Sequence, residues 1–454
     1  MSVRSILIAN RGEIALRIIR ACRTLGLRTI AVCSEADRGA AYLALADRAV
    51  CIGGAAADTS YLDIGAVMLA AAAVGADAIH PGYGFLSENG DFAEAVEGAG
   101  LIFIGPTSDV VRLMGDKIAA KAKMRELGVP CVAGSHGALP DDPQLCQACA
   151  TEVGYPLIIK AAGGGGGRGM RIVRDSASLH QAIGATREEA RRAFANPTIY
   201  LEKFLEHPRH VEIQVICDGG GEGVWLGARD CSMQRRHQKL IEEAPPPGVP
   251  EANIAELGER CVAACRAIGY RGVGTFEFLY QDGIFAFIEM NTRIQVEHPI
   301  TEETSGIDIV REQIRVALGE PLGLRQSEVT CRGHAIECRI NAEHPFDGIP
   351  SPGRVESWLA PGGPGIRVDT HIVAGSEVPS HYDSLIAKVI ARGEDRSECI
   401  ERMLSALADL RAEGIRLNTE LHSVVLKDAS FRDARLSIHS LEDILRRRAS
   451  SDRR

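Results

Sequence analysis

The eleven residues from Lys160 to Met170, Lys-Ala-Ala-Gly-Gly-Gly-Gly-Gly-Arg-Gly-Met, constrain this chain more than any other stretch. Six of them are glycines, and apolar runs flank them on both sides. Without β-carbons in the way, backbone N–H groups can approach phosphate oxygens, so the tract reads as a phosphate cradle. A flexible linker is the alternative, but a linker is rarely clamped between two apolar strands. The spacing is not that of a Walker loop: the lysine precedes the glycines and no Ser or Thr follows them, which disfavours a P-loop nucleotidase.

Upstream of the tract, Arg4 to Asn10 reads as a buried strand, and Ile14, Ile18, Ala21 and Leu25 recur at helical spacing up to Gly26. Apolar runs at Thr29 to Cys33, Ala49 to Ile52, Ala76 to Ile79 and Leu101 to Ile104 alternate with helical patterns. That alternation predicts an open parallel α/β sheet, a Rossmann-like domain over 1–114. It lacks G-x-G-x-x-G after its first strand, so a dinucleotide role there is disfavoured.

From Gly115 the pattern changes to α+β. Strands at Tyr155 to Lys160, Met170 to Val173, Thr198 to Lys203 and His210 to Val215 surround the glycine tract like a lid, assigned to about 131–204 within a domain over 115–330. The run Glu243 to Pro250 carries four prolines and predicts a rigid loop, followed by a helix from Glu251 to Ile268 and a hairpin turning at Gln281-Asp282-Gly283. A third domain is expected over 331–446, rich in glycine and proline between Pro350 and Gly365, and ending in a helix and a basic tail over 447–454. Arg446 to Arg448 read as a solvated helix end.

A length of 454 residues calls for several domains, and 45% hydrophobic with 24% charged residues is a globular composition without a bias to disorder. A net charge of −9 argues against nucleic acid or an anionic membrane as the main partner. No apolar run reaches the roughly 18 to 20 residues of a membrane span, and Met1 to Asn10 lacks a cationic segment before a long apolar one, so a cytoplasmic location is expected. The 13 cysteines are scattered, with Cys146 and Cys149 the only C-x-x-C, which suits reduced thiols. Lysine is scarce against arginine, yet Lys117, Lys160, Lys203 and Lys239 fall inside the motif regions, where a compact point charge is wanted.

A second cluster spans Gly274 to Glu297. Glu289 and Asn291, two apart on one strand, share a face, and the hairpin can bring Glu277 opposite them. Two carboxylates and an amide oxygen suit Mg²⁺ or Mn²⁺, while the surrounding Phe276, Phe278, Phe287 and Ile288 argue against a merely solvated strand. Just beyond, Arg293, Gln295 and Glu297 could hold and deprotonate a small acid such as bicarbonate. Taken alone, an Arg and a Glu four apart, as Arg293 and Glu297 are, more often form a structural ion pair; the metal ligands upstream shift the balance toward binding. The stretch Gln234 to Lys239 is similarly open between a solvated cationic strand and a binding surface.

These segments together resemble the biotin carboxylase family of ATP-grasp enzymes over nearly the whole chain. The resemblance is carried by Ile8-Ala9-Asn10-Arg11-Gly12-Glu13-Ile14-Ala15, by His80-Pro81-Gly82-Tyr83-Gly84-Phe85-Leu86-Ser87-Glu88-Asn89, by the glycine tract, by Arg229 to Lys239 and by Asn291 to Pro299. It implies a Rossmann-like N-terminal domain, an ATP-grasp domain with a glycine-rich lid, and a C-terminal domain particular to the family.

The resemblance further implies that Lys117 and Lys160 contact ATP phosphates beneath a lid around Gly165 and Gly166. Glu202, Lys203 and Leu205 would border the adenine, with His210, Gln234 and His237 along the nucleotide. Glu277, Glu289 and Asn291 would hold two divalent metals. Lys239, Arg293, Gln295 and Val296 would form the bicarbonate pocket, Glu297 would be the base, Arg339 would stabilise the biotin enolate, and Tyr83 and Gly84 would lie near biotin. The implied chemistry is ATP-dependent carboxylation of carrier-bound biotin through carboxyphosphate, weighed against a second ATP-grasp option, an amide-forming ligase.

The implied partners are a biotin carboxyl carrier protein, carboxyltransferase subunits and a second copy of the chain, for which the Arg17 to Arg23 helix face offers an interface. Acetyl-CoA is the expected final acceptor, as in fatty acid synthesis, ahead of propionyl-CoA or pyruvate. Neither a carrier nor a carboxyltransferase segment follows the third domain, so both are expected as separate polypeptides. Ala122-Lys123-Met124 is the nearest approach to a biotinylation motif, and on a predicted helix Lys123 is not expected to carry biotin. One departure stands out: Ile349 precedes Pro350-Ser351 where the family usually has Phe, and Phe346 lies earlier.

Overall fold

The computed structural model describes residues 3–135, 137–163 and 169–451. The N-terminal strands form an all-parallel five-stranded sheet in the order Arg48–Cys51, Arg28–Cys33, Ser5–Ile8, Ala78–His80, Ile102–Phe103. Its central strand, Ser-Ile-Leu-Ile, is buried at every position, as a strand covered on both faces must be. The order places the first strand in the middle, the doubly wound arrangement in which ligands meet the carboxyl ends of the strands. The segments leaving those ends are Asn10–Gly12 and Pro81–Phe85.

The helix Gly12–Thr24 buries Ile14, Ile18 and Ala21. It also buries Arg17, whose guanidinium meets Glu302 at 2.8 Å and Asp308 at 2.5 Å. The helix face expected to serve a dimer interface is therefore corrected at Arg17: two carboxylates of the same chain satisfy that charge, and only Arg20 and Arg23 stay exposed.

The centre of the molecule is an eight-stranded sheet, in the order Ile284–Asn291, Arg271–Gln281, Arg209–Asp218, Gly223–Arg235, Gln238–Ala244, His334–Asn341, Leu385–Gly393, Ile366–Thr370, with antiparallel neighbours throughout. Two tight turns shape it. Asp282 and Gly283 link the first pair with φ of 53° and 82°, the left-handed values a two-residue hairpin requires. Arg236 and His237 turn the next hairpin at φ 50° and 65° without a glycine. Strand Gln238–Ala244 pairs with His334–Asn341, so one continuous sheet carries both Lys239 and Arg339.

The lid is a separate three-stranded antiparallel sheet of Met170–Val173, Leu157–Ala161 and Ile199–Lys203, backed by the helices Pro143–Val153 and Leu179–Phe194 around Leu157, Ile159, Leu179 and Leu201. The run His210 to Val215, read from sequence as a fourth lid strand, belongs instead to Arg209–Asp218 in the large sheet, where it pairs along its length on both sides. Its buried His210, Glu212 and Gln214 need polar cross-strand partners that the small apolar lid does not offer.

The C-terminal core gathers Ile336, Cys338, Val389, Met403, Val425 and Phe431. Phe346 packs against it beneath the Arg448 guanidinium, 4.0 Å from the ring centre, while Ile349 is 57% exposed. The departure at Ile349 thus leaves the inward place to Phe346. The final helix runs Ser440–Ser451 and keeps Arg447 against Asp428 at 3.0 Å. All 13 cysteines are free, and among the described residues no helix is long and apolar enough to cross a membrane.

Candidate active site

Sheet register builds the site. On four successive strands Glu289 faces Glu277, Glu277 faces Glu212, and Glu212 faces Arg229, so one row of charge crosses the floor of a cleft of about 990 Å³. That volume suits a nucleotide-sized ligand. Every site residue expected from sequence lines this cleft except Gly165 and Gly166, which lie outside the described residues.

At one end of the cleft, helix Lys117–Glu126 and the three-stranded lid sheet converge. Lys117 pairs with Glu289, and Lys160 meets Glu202 at 2.6 Å. Lys203 donates to the carbonyls of Gly154 and Tyr155 at 3.3 and 2.7 Å, and Leu205 lines the same cleft with the apolar Ile158, Leu279 and Ile438. Gln234 meets His210 at 2.9 Å, and His237 sits on the exposed hairpin turn.

The middle of the row is a charge cluster. Lys239 Nζ reaches Glu212 at 2.6 Å, Glu277 at 2.9 Å and Glu297 at 2.5 Å. Burial disfavours its charge, but the surrounding acids outweigh that and hold the ammonium well above its ordinary pKa. His210 touches Glu277 at 3.1 Å; burial lowers its pKa, the carboxylate raises it, and the net direction is up. Asn291 Nδ2 and Gln295 Nε2 both donate to Glu277 at 2.8 Å. Glu277 and Glu289 face each other with hard carboxylate oxygens that suit a divalent cation beside nucleotide phosphates, each held here by a lysine, while Asn291 turns its Nδ2 to Glu277 and its Oδ1 to Arg293.

At the far end, Glu297 is 2% exposed between Lys239 and Arg339, the latter at 2.8 Å. Burial raises its pKa, but Lys239, Arg339 and Arg229 overcome this and hold the carboxyl well below the usual carboxylate range. Arg293 does not pair with Glu297, four residues on; it binds Glu88 at 2.8 Å and the Asn291 side-chain oxygen at 2.9 Å. Val296 offers its carbonyl to the buried Lys388 at 2.8 Å. Arg339 also meets Glu242 at 2.5 Å, and burial pushes that carboxyl up to about 7 against the pull of Arg339. Tyr83 donates its hydroxyl to Glu13, and Gly84, at φ 68°, continues the same turn.

Sequence reasoning did not single out Glu212, fully buried Arg229, Glu242, Glu13 or Lys388. Arg229 reaches Glu212, Gln214, Thr301 and Gln295. The signal was present: His210, Glu212 and Gln214 alternate with Val211, Ile213 and Val215, which marks a polar stripe on an otherwise apolar central strand.

Three family models cover the chain: "Biotin carboxylase, N-terminal domain" over residues 2–111, "Carbamoyl-phosphate synthase L chain, ATP binding domain" over 116–325 and "Biotin carboxylase C-terminal domain" over 337–443. The chain is 57% identical over 443 residues to a biotin carboxylase of Allochromatium vinosum, covering 98% of this chain and 99% of the relative. It is 58% identical over 440 residues to that of Pseudomonas aeruginosa, covering 97% and 98%, and 48% identical over 442 residues to a pyruvate carboxylase subunit of Methanothermobacter thermautotrophicus, covering 97% and 90%. Among solved structures, a biotin carboxylase–beta-gamma-ATP complex from Campylobacter jejuni superposes with TM-score 0.93 at 45% identity, covering 97% and 99%. The biotin carboxylase domain dimer of Hydrogenobacter thermophilus 2-oxoglutarate carboxylase, in complex with MgADP, ADP and bicarbonate, superposes at 0.92 and 44%, covering 98% and 99%.

Proposed function

The chain belongs to the biotin carboxylase family of ATP-dependent ligases, and from that premise we propose how its own residues divide the reaction. The observation that carries this reading is the position of Glu297 between Lys239 and Arg339, at the end of the cleft opposite Lys117 and Lys160. Bicarbonate binds between Lys239 and Arg293, with Gln295 and Val296 closing its pocket, and Glu297 takes its proton. The resulting oxyanion attacks the γ-phosphorus of ATP, giving carboxyphosphate and ADP. Lys117 and Lys160 stabilise the transferring phosphoryl group.

Glu277, Glu289 and Asn291 would hold two Mg²⁺ or Mn²⁺ ions, which would supply charge neutralisation on the phosphates. Glu202, Lys203 and Leu205 take the base of the nucleotide, with His210, Gln234 and His237 along its length. Carboxyphosphate then yields CO₂ and phosphate; the phosphate removes the ureido N–H proton of biotin, and that nitrogen adds to CO₂. Arg339 stabilises the negative charge on the ureido oxygen, with Tyr83 and Gly84 beside the ring.

Biotin arrives on a carrier protein, and carboxyltransferase subunits pass the carboxyl group on. Acetyl-CoA is the acceptor we favour, as the first step toward malonyl-CoA and fatty acids in the cytoplasm. The chain works as a homodimer, a reading supported by the dimer named for the Hydrogenobacter neighbour. Steady-state ADP release that requires bicarbonate and accelerates with free biotin tests the reading; turnover indifferent to both, or an amine requirement, contradicts it.

A further inference from the structure

Lys121 stands behind the cleft, not in it. It lies on helix Lys117–Glu126 one turn beyond Lys117, its ammonium 5.3 Å from the centre of the Tyr200 ring, and it pairs with Oε1 of Glu202. Glu202 lines the cavity; Lys121 does not. The other Glu202 oxygen meets Lys160 at 2.6 Å. Both side chains of the Lys121–Glu202 pair are nearly excluded from solvent, at 9% and 5% exposure.

Burial and the nearby Lys160 and Lys117 push the Lys121 amine well below the ordinary lysine range, so its direct contact with Glu202 is what holds its proton. Glu202 is thus a buried carboxylate shared by two lysines, and one of them, Lys160, is assigned above to the nucleotide phosphates. Once Lys160 turns to a phosphate, Glu202 keeps its charge only if another cation stays, because an uncompensated buried carboxylate takes up a proton instead. Lys121 cannot follow Lys160, since it has no access to the cleft.

We propose that Lys121 is a positioning residue: the resident counter-charge that keeps Glu202 ionised when Lys160 engages phosphate, and so sets the preference for a 6-amino over a 6-oxo purine nucleotide. An ionised carboxylate only accepts hydrogen bonds, which matches the amino group of adenine and opposes a carbonyl at the same position. A protonated carboxyl can also donate, and it tolerates both. Discrimination of this kind is strong because the wrong partner leaves buried polar groups unmatched. The inference rests on the reading that the nucleobase lies against Glu202.

The test compares ATP with inosine triphosphate, which carries a 6-oxo group, in bicarbonate-dependent and biotin-stimulated turnover of the full-length protein. Lys121→Met is expected to lower the ATP-to-ITP ratio of kcat/KM by about tenfold or more, through KM, while kcat at saturating ATP stays within about threefold of the parent. Lys121→Arg is expected to restore most of the preference, which a purely structural role does not predict. Should Lys121→Met fail to fold in thermal melts, Lys121→Gln keeps a donor without the charge and is expected to show the same loss. A folded, active Lys121→Met or Lys121→Gln that keeps the parental ATP-to-ITP ratio overturns the inference. A parent protein without biotin-stimulated ATP cleavage overturns the functional reading itself, a separate outcome.

Discussion

Arg339 donates to Oε2 of Glu297 at 2.8 Å, while Oε1 of the same carboxylate takes Lys239 at 2.5 Å. The arginine assigned to biotin and the base assigned to bicarbonate are therefore one ion-paired unit. Removing Arg339 takes away one of the cations that hold Glu297 well below the usual carboxylate range, so its pKa rises and its strength as a base increases.

That contact shapes the first prediction. Glu297→Gln abolishes both ADP release and carboxybiotin formation, since no nucleophile forms. Arg339→Gln leaves Lys239, Arg293 and Glu297 in place, so bicarbonate-dependent ADP release persists while carboxybiotin falls further, by about two to three orders of magnitude as for a lost oxyanion donor. Parallel assays of both products read this out. Equal losses in Arg339→Gln assign that arginine to phosphoryl transfer or folding.

The facing pair Glu277 and Glu289 gives a second prediction. Glu289→Gln removes an anionic oxygen donor, and the Mg²⁺ concentration for half-maximal turnover is expected to rise by about tenfold or more, with partial recovery at high Mg²⁺. Glu277→Gln is expected to be the more damaging, because Glu277 also receives Lys239, His210, Asn291 and Gln295. Unchanged turnover at low Mg²⁺ in both variants places the metal elsewhere.

Histidines shielded from water give the third: His80 and His422 are buried and His371 is half-buried. Burial pushes His80 and His371 down to about 3, and His422 to about 4. The unfolded chain protonates these rings below about 6.5 and the folded chain does not, so their stability is complete above that pH and is lost as pH falls toward 4. Each contributes a slope of about 1.4 kcal/mol per pH unit within that window. His422→Gln, which can keep a donor on the Arg339 carbonyl now met at 2.7 Å, is expected to remove one such slope in denaturant titrations from pH 6.5 to 4.5. An unchanged slope shows that His422 titrates alike in both states.

A fourth prediction concerns assembly: light scattering at micromolar concentration is expected to give twice the 48.7 kDa chain mass. A clean monomer contradicts the homodimer.

What sequence made legible was local or periodic. Asp282-Gly283 announced its hairpin, but the register of that two-residue turn alone sets Glu277 against Ile288; a bulge between Glu277 and Phe278 shifts the pairing so that Glu277 faces Glu289, and nothing in the sequence announced that shift. Sheet membership was less legible: His210 to Val215 shows an alternating strand with a polar stripe but not which sheet it joins, and its neighbours at 223–235 and 271–281 are settled by pairing far along the chain. The same distance hid the partners of Arg17, which are Glu302 and Asp308, and of Arg293, which is Glu88 rather than nearby Glu297. Lys388, on a C-terminal strand, is fully buried against Val296 and Glu13, and nothing in its neighbourhood along the chain announces that.

Carbon and phosphorus followed together in one reaction decide whether the cleft carboxylates biotin. Purified protein is given ATP, Mg²⁺, ¹⁴C-bicarbonate and free biotin, and acid-labile ¹⁴C-carboxybiotin is measured against ADP in the same samples. Carboxybiotin formation is expected to require all four components, with biotin accelerating ADP release and Glu297→Gln eliminating both products. ADP release at full rate without biotin, with no label reaching biotin, contradicts this.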